Sequence, residues 1–267
     1  MALAHAAAVP IERWGPFLPG SVTCMRIMSQ ATHECFDTVL GIEQRCQDAR
    51  ARGNTCDAAQ VDGEVTAATD AMLATVMNAC AEGQLTEVGY IGFFDAEADL
   101  LNACARQAKG AVAAAYAPAV GGPTSESAAA CMAASAAYGR KAMRFILERE
   151  TPVMERMATR VFAAEEKQAH VRRVESELSA TRARWIIGLL QACPQFEAVY
   201  GRSAESFLRT MKQRTDCVLS KTYVNSAVIC LAQVCGNGIV EGDEQCDDGN
   251  AADADACRND CTTNPAP

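Results

Sequence analysis

The residues best suited to chemistry lie near the carboxyl end of the chain, where cysteines and acidic residues cluster. Residues 235–261 read CGNGIVEGDEQCDDGNAADADACRNDC and contain eight acids and one base, a charge of −7. Five oxygen-donor side chains fall within nine residues: Asp247, Asp248, Asn250, Asp253 and Asp255. Calcium binds roughly six to eight oxygen ligands, and a divalent cation relieves the repulsion between such close carboxylates. The segment therefore predicts a calcium site.

The predicted calcium ligands are four residues of this loop and two helpers from the flanking turns: Asp247, Asp248, Asn250, Asp255, Asn237 and Glu244. The segment has almost no apolar residues beyond Ile239 and Val240. Disulfides and a metal are the usual substitutes for a core in so small a unit. The spacing is not that of an EF-hand. Two alternatives remain open: an acidic, disulfide-held loop without a metal, and zinc bound by the cysteines.

This segment resembles the Myxococcus cysteine-rich repeat, which is similar in appearance to the Lin-12/Notch repeats of extracellular metalloproteases and receptors. The matching residues are Cys235, Gly236, Asn237, Gly238, Glu244, Cys246, Asp247, Asp248, Gly249, Asn250, Asp255, Cys257 and Cys261. Asp255-Ala256-Cys257 departs from the usual Asp-Gly-Cys. Losing a glycine that suits positive φ puts the loop shape beside Asp255 in question. The resemblance implies an extracellular module.

A long helix over residues 21–52 is the element around which the chain is organised. Its apolar and cysteine positions recur every three or four residues, which marks one helical face: Cys24, Met28, Ala31, Cys35, Val39, Ile42 and Cys46. The three cysteines are 11 residues apart, which is roughly 16 Å along a helix. A disulfide needs Cα atoms within about 7 Å. Each cysteine must therefore pair with a different neighbouring segment.

A helical hairpin supplies two of the partners. A turn signal at Gly53-Asn54 precedes a second helix over residues 58–81. The pairs Cys24–Cys80 and Cys46–Cys56 are then symmetrical about one turn. Cys35 is left for Cys104, on a third helix over residues 95–116.

The second half of the chain reads as a diverged internal duplication. Cys80 to Cys104 and Cys193 to Cys217 both span 24 residues, and a linker at residues 118–125 separates the halves. If the two halves are equivalent, Cys131 pairs with Cys193 as Cys24 pairs with Cys80. Cys217 is then left for Cys230, and this pair requires a helix break near residues 221–225. Thr151-Pro152 predicts the start of a helix, because proline suits the first helical position.

The sequence thus predicts a mostly α fold, with two related disulfide-stapled helical units followed by a small irregular cysteine-rich repeat. The expected boundaries are residues 9–120, 121–230 and 231–267. Residues 1–8 are predicted to be a signal-peptide remnant with an A-x-A site at Ala4-His5-Ala6, and a plain alanine-rich tail is the alternative. Residues 21–230 loosely resemble secreted cysteine-rich helical proteins of myxobacteria and their relatives, through CMRIMSQATHECFDTVLGIEQRC and GYIGFFDAEADLLNAC. This resemblance brings no known activity.

Composition bears on compartment and partners. Fourteen cysteines in 267 residues favour an oxidising compartment, so we expect an extracellular or cell-surface protein, with the periplasm as an alternative. Outside residues 235–261 there are 25 acids and 23 bases, and we interpret the acidity as a local feature of the tail. No basic patch suits nucleic acid, and no apolar run is long enough to predict a membrane span.

Catalysis is not predicted. The motifs GxSxG, HExxH and SxxK are absent, and His33 stands beside Cys35, which belongs to the disulfide stripe. We therefore expect a binding or structural protein with an unidentified protein or surface partner. Two alternatives stay open: a helical carrier of a small apolar ligand, and an accessory or inhibitory module of an extracellular protease.

Overall fold

The structure is a computed structural model that describes residues 16–117, 124–161 and 164–224, together with residues 226, 228, 230 and 246. This part of the chain folds as helices joined by short connections, and it contains no strand. The helices are α1 (Pro19–Ala51), α2 (Ala58–Ala79), α3 (Glu82–Val88), α4 (Phe93–Leu101), α5 (Gln107–Tyr116), α6 (Glu126–Thr159), α7 (Ala164–Ala192), α8 (Phe196–Tyr200) and α9 (Ala204–Thr222). A π-helical turn, Asn102–Arg106, joins α4 to α5. The predicted mostly α fold is confirmed.

All five predicted disulfides of the helical part are present. They are Cys24–Cys80, Cys35–Cys104, Cys46–Cys56, Cys131–Cys193 and Cys217–Cys230, with Cα atoms 4.2 to 5.5 Å apart. The helix break that the last pair requires lies at the end of α9, where Thr222 is the last helical residue and Tyr223 leaves the helical conformation. The framework inferred from helical spacing is therefore the framework of the fold.

The two halves repeat one arrangement of helices. In each half a long helix is followed by a second long helix, a short helix and a final helical segment with a cysteine. That cysteine is Cys104 of the π-helical turn between α4 and α5 in the first half, and Cys217 of α9 in the second. Cys80 and Cys193 both follow directly on the end of the second helix and bridge back to the first. A single hydrophobic core contains buried residues of both halves. Helices α1–α5 and α6–α9 fall within the expected units, whose boundaries stay a prediction.

The predicted helix start at Thr151-Pro152 is wrong. Helix α6 runs without interruption from Glu126 to Thr159, with Pro152 inside it. An internal proline costs about 3 kcal/mol, because it removes a hydrogen bond and crowds the preceding turn. Buried side chains on both sides of it, Leu147, Met154 and Ala158, hold the helix against the core. Tertiary packing thus outweighs the local preference of proline.

A fully buried arginine joins α9 to α5 across the two halves. Arg214 is 1% exposed, and its Nη1 donates a hydrogen bond of 3.3 Å to Oε1 of Gln107. Gln107 in turn donates to Asn102 at 2.7 Å across the π-helical turn. The guanidinium lies on Gly110, where a Cβ atom would stand 2.5 Å from Cζ of Arg214. The glycine is therefore required for this close approach.

We predict that Gly110→Ala destabilises the protein although alanine is the better helix former. Alanine favours a helix interior by about 1 kcal/mol over glycine, but here the added methyl group overlaps a buried guanidinium. We expect a net loss of roughly 1–3 kcal/mol, as for overpacked cores, measured by urea denaturation. Gly63→Ala is the matched control, since Gly63 is an exposed α2 residue with no neighbour within 4 Å. It should be neutral or stabilising, and a stabilising Gly110→Ala would contradict the packing argument.

The disulfides should differ in their contribution according to the loops they close. Cys35–Cys104 has a sequence separation of 69 and Cys46–Cys56 one of 10. In the loop-closure description, the longer loop stabilises by about 1.5 kcal/mol more. We expect the double variant Cys35→Ala/Cys104→Ala to lose at least that much more stability than Cys46→Ala/Cys56→Ala. Equal losses in oxidised samples would rule out this ranking.

Candidate functional site

The C-terminal repeat begins where α9 meets the first helical unit. The hydroxyl of Tyr90 donates to the carbonyl of Lys221 at 2.6 Å, and Nζ of Lys221 binds Oδ1 of Asp99 at 2.7 Å. The hydroxyl of Tyr223 donates to Oγ of Ser29 at 2.8 Å. With the disulfide Cys217–Cys230, these contacts fix the last turn of α9 against α1 and α4. The last turn of α9, after which the cysteine-rich segment follows in the sequence, is therefore held firmly in place.

The predicted calcium ligands Asn237, Glu244, Asp247, Asp248, Asn250 and Asp255 lie outside the described residues. Cys246 is described and is disulfide-bonded. Among the described residues no group of three or more His, Cys, Asp or Glu side chains is arranged to hold a metal ion. The calcium site consequently stays a prediction.

A groove between α1 and α6 has a volume of about 640 Å³. Its polar centre is Asp37, which accepts hydrogen bonds from Nε and Nη2 of Arg140 at 2.8 and 2.7 Å and from Nη2 of Arg144 at 2.9 Å. Burial by itself would raise the pKa of Asp37, but the two arginines outweigh it and hold this pKa below its usual value. The apolar lining includes Phe36 and Leu147. No pattern in the sequence pairs Asp37 with an arginine more than a hundred positions away.

His33 lines the same groove and is neutral. Its Nε2 is buried without a hydrogen-bond partner, and burial lowers its pKa from 6.5 to about 4. The neighbouring Cys35 is bonded to Cys104, as the disulfide stripe predicts. A shielded, neutral imidazole of this kind packs the wall of the groove, and the arrangement resembles a structural histidine more than a proton-transfer site.

A second titratable group is enclosed where α6 meets α9. The pKa of Glu150 is raised from 4.5 to about 7, chiefly by burial and to a smaller extent by Asp216 and Glu175, against the opposing effect of Lys212. Lys212 itself donates to both carboxylate oxygens of Asp216, at 2.8 and 2.7 Å. The cation that opposes the raised pKa of Glu150 is Lys212, and its ammonium group is already bound to the carboxylate of Asp216. Neither this cluster nor the Asp37 cluster was found from the sequence.

An apolar pocket between α6, α7 and α9 bears on the carrier alternative. It is lined by Ala142, Ile146, Leu178, Trp185 and Leu208, among others, and its volume is about 200 Å³. Pockets that bury small ligands usually measure roughly 300–1,000 Å³. This pocket is therefore small for a ligand carrier.

Comparison with known proteins finds one match, at the carboxyl end of the chain. A domain of unknown function, DUF4215, matches residues 221–262. The match begins in the last turn of α9 and covers Cys230 and the acidic, cysteine-rich segment. No curated protein and no solved structure matches the chain significantly. The chain is thus similar over this segment to a cysteine-rich domain without an assigned activity.

Glu150 and His33 should give the free energy of unfolding opposite slopes against pH. The folded pKa of Glu150 is raised, so its contribution to stability falls as the pH rises from about 4.5 to about 7. The folded pKa of His33 is lowered, so its contribution falls as the pH drops from about 6.5 to about 4. Shifts of this size correspond to at most about 3 kcal/mol each. Glu150→Gln should stabilise the protein near pH 8, and His33→Gln should flatten its loss of stability in acid.

The measurement is the urea midpoint of each variant between pH 4 and pH 8. Glu148→Gln is the matched control, since Glu148 is an exposed carboxyl on the same helix, and it should leave the slope of the wild type unchanged. If Glu150→Gln gives no gain of stability at high pH, this carboxyl is not enclosed as described.

Proposed function

We propose that this chain is an extracellular or cell-surface binding or structural protein whose helical body carries a calcium-binding C-terminal repeat. Ten cysteines of the helical part, paired in five disulfides, support an oxidising compartment, because such bonds rarely persist in a reducing cytosol. No described helix is long and apolar enough to cross a membrane. The extracellular reading also agrees with the resemblance of the tail to Notch-like repeats.

The observation that carries the calcium proposal is the donor set in the tail. Carboxylate and amide oxygens are the ligands that calcium prefers, and Asp247, Asp248, Asn250 and Asp255 supply four of them within nine residues, with Asn237 and Glu244 as helpers. A bound ion would neutralise part of the charge of −7 on residues 235–261. It would also order loops that have no apolar core to order them.

We propose binding as the activity, with catalysis assigned to no residue. The two polar clusters of the helical part are engaged in structure: Asp37 is held by Arg140 and Arg144, and Asp216 is held by Lys212. The pocket between α6, α7 and α9, with a volume of about 200 Å³, gives the ligand-carrier alternative no support. The grooves along α1, of about 640 and 430 Å³, are large enough for a small ligand and keep that alternative open. The protease-module alternative rests on the resemblance of the tail alone.

Calcium should bind the oxidised full-length chain with a Kd of about 10⁻⁴–10⁻³ M, the range of extracellular modules. We expect a saturable response in amide chemical shifts or in heat on titration. Asp248→Ala and Asp255→Ala should each remove most of the response, because each deletes a charged ligand. Reduction should weaken it, since Cys246 and Cys257 bracket the acidic loop.

Asp70→Ala is the matched control, because it removes the same charge from an exposed site on α2. It should leave the titration unchanged. No response up to about 10 mM calcium, well above the expected range, would exclude a calcium site and leave an acidic, disulfide-held tail. An equal loss in Asp70→Ala would mean that calcium only screens the net charge.

A further inference from the structure

Two apolar side chains stand out from the surface at the start of α4. Ile91 and Phe94 are 88% and 89% exposed, more than the other exposed large apolar residues of the described chain. The backbone of this segment is held in place. The backbone N–H of Ile91 donates to Oδ2 of Asp95 at 2.9 Å, and the preceding Tyr90 is buried and donates a hydrogen bond to the carbonyl of Lys221. Exposed apolar side chains mark interaction sites where they lie close together, and Ile91 and Phe94 are three positions apart in the chain.

The other half of the duplication shows that this exposure is specific to Phe94. Phe94 and Phe207 both lie ten residues before a cysteine of their helix, yet Phe207 is 0% exposed and packs against Phe196 with ring centroids 5.7 Å apart. The two segments differ locally: Cys104 lies in the π-helical turn Asn102–Arg106, which α9 lacks, and the neighbouring Phe93 packs against the core in the first half. Phe94 is therefore left exposed where Phe207 is buried.

The surroundings of Ile91 and Phe94 are acidic. Residues 53–105, which form α2, α3 and α4, contain nine acids and no base. Exposed carboxylates close to the two side chains in the chain include Glu82 and Glu97. The interpretation that acidity is a local feature of the tail is therefore incomplete. Acids and bases outside the tail are nearly equal in number, but residues 53–105 contain acids and no base. A partner for this surface must be apolar and basic.

The solvent side of α7 is apolar and carries an exposed arginine. Ala180, Ala183, Ile187 and Leu190 are exposed and follow each other at helical spacing. Ile187 is 58% and Leu190 39% exposed, while Leu189 on the opposite side is buried. Arg184 is exposed within this stripe, and its hydrogen bond runs to Thr181 at 3.4 Å instead of to a carboxylate. Helix α7 thus has apolar residues on two sides, of which only one meets the core.

We propose that the chain binds a second copy of itself, with the Ile91–Phe94 surface of one copy on the outer α7 stripe of the next. Apolar burial supplies the attraction, and the carboxylates around Ile91 and Phe94 disfavour pairing of that surface with itself and favour a surface that carries Arg184. The contact joins two different surfaces, so it is heterologous and either closes a ring or continues as a chain. It needs no calcium and is independent of the proposed tail site.

The test is sedimentation of the oxidised full-length chain from about 1 µM to about 1 mM, which spans weak, small interfaces. We expect concentration-dependent association that added salt weakens and chelator does not. Phe94→Ser and Ile187→Ser should each abolish it without loss of stability, since both residues are exposed. An equimolar mixture of the two variants should form one-to-one dimers, because each variant retains one complementary surface.

Val161→Ser is the control, as Val161 is 75% exposed and belongs to neither surface, and it should associate like the wild type. A wild type that stays monomeric over the whole range overturns the proposal and leaves the Ile91–Phe94 surface to another partner. If neither single variant associates and their equimolar mixture also stays monomeric, the heterologous contact is overturned. If Phe94→Ser abolishes association but Ile187→Ser does not, the role of α7 is overturned.

Discussion

The geometry of cysteines on a straight helix is the constraint on which the rest of the structure depends. Helix α1 places Cys24, Cys35 and Cys46 on one face and too far apart to pair with one another. The three sulfurs therefore fix three separate segments: the end of α2, the π-helical turn after α4, and the loop before α2. The first helical unit is in effect assembled around one helix by covalent bonds.

The second unit uses the same helix order with fewer covalent links. One disulfide, Cys131–Cys193, joins α6 to the end of α7, and an aromatic cluster of Phe196, Tyr200 and Phe207 fills the space between the helices. Hydrogen bonds to the first unit also hold the second unit in place. Arg140 donates to Asp37, and Arg214 donates to Gln107. Because both contacts cross between the halves, the duplicated units form a joint core.

The surfaces of the protein are better suited to binding than its interior. The apolar pocket between α6, α7 and α9 is small, whereas charge is segregated between an acidic α2–α4 region, an acidic tail and an arginine-rich α6–α9 region. Lys221 and Tyr223 bind Asp99 of α4 and Ser29 of α1, and Cys217 of α9 is bonded to Cys230. The last turn of α9 is therefore fixed to the first helical unit.

Sequence alone determined the helix α1, its hairpin with α2 and the five disulfides, because helical periodicity and sulfur geometry depend on residue spacing along the chain. The tertiary structure decided what depends on packing between distant segments. Helix α6 continues past Pro152, and Arg214 is buried against Gly110. Asp37 binds Arg140, and Phe94 is exposed whereas Phe207 is buried. Spacing within a helix fixes which residues share a face. Which face meets the core depends on the segments that pack against the helix, and the spacing of residues within one segment does not determine them.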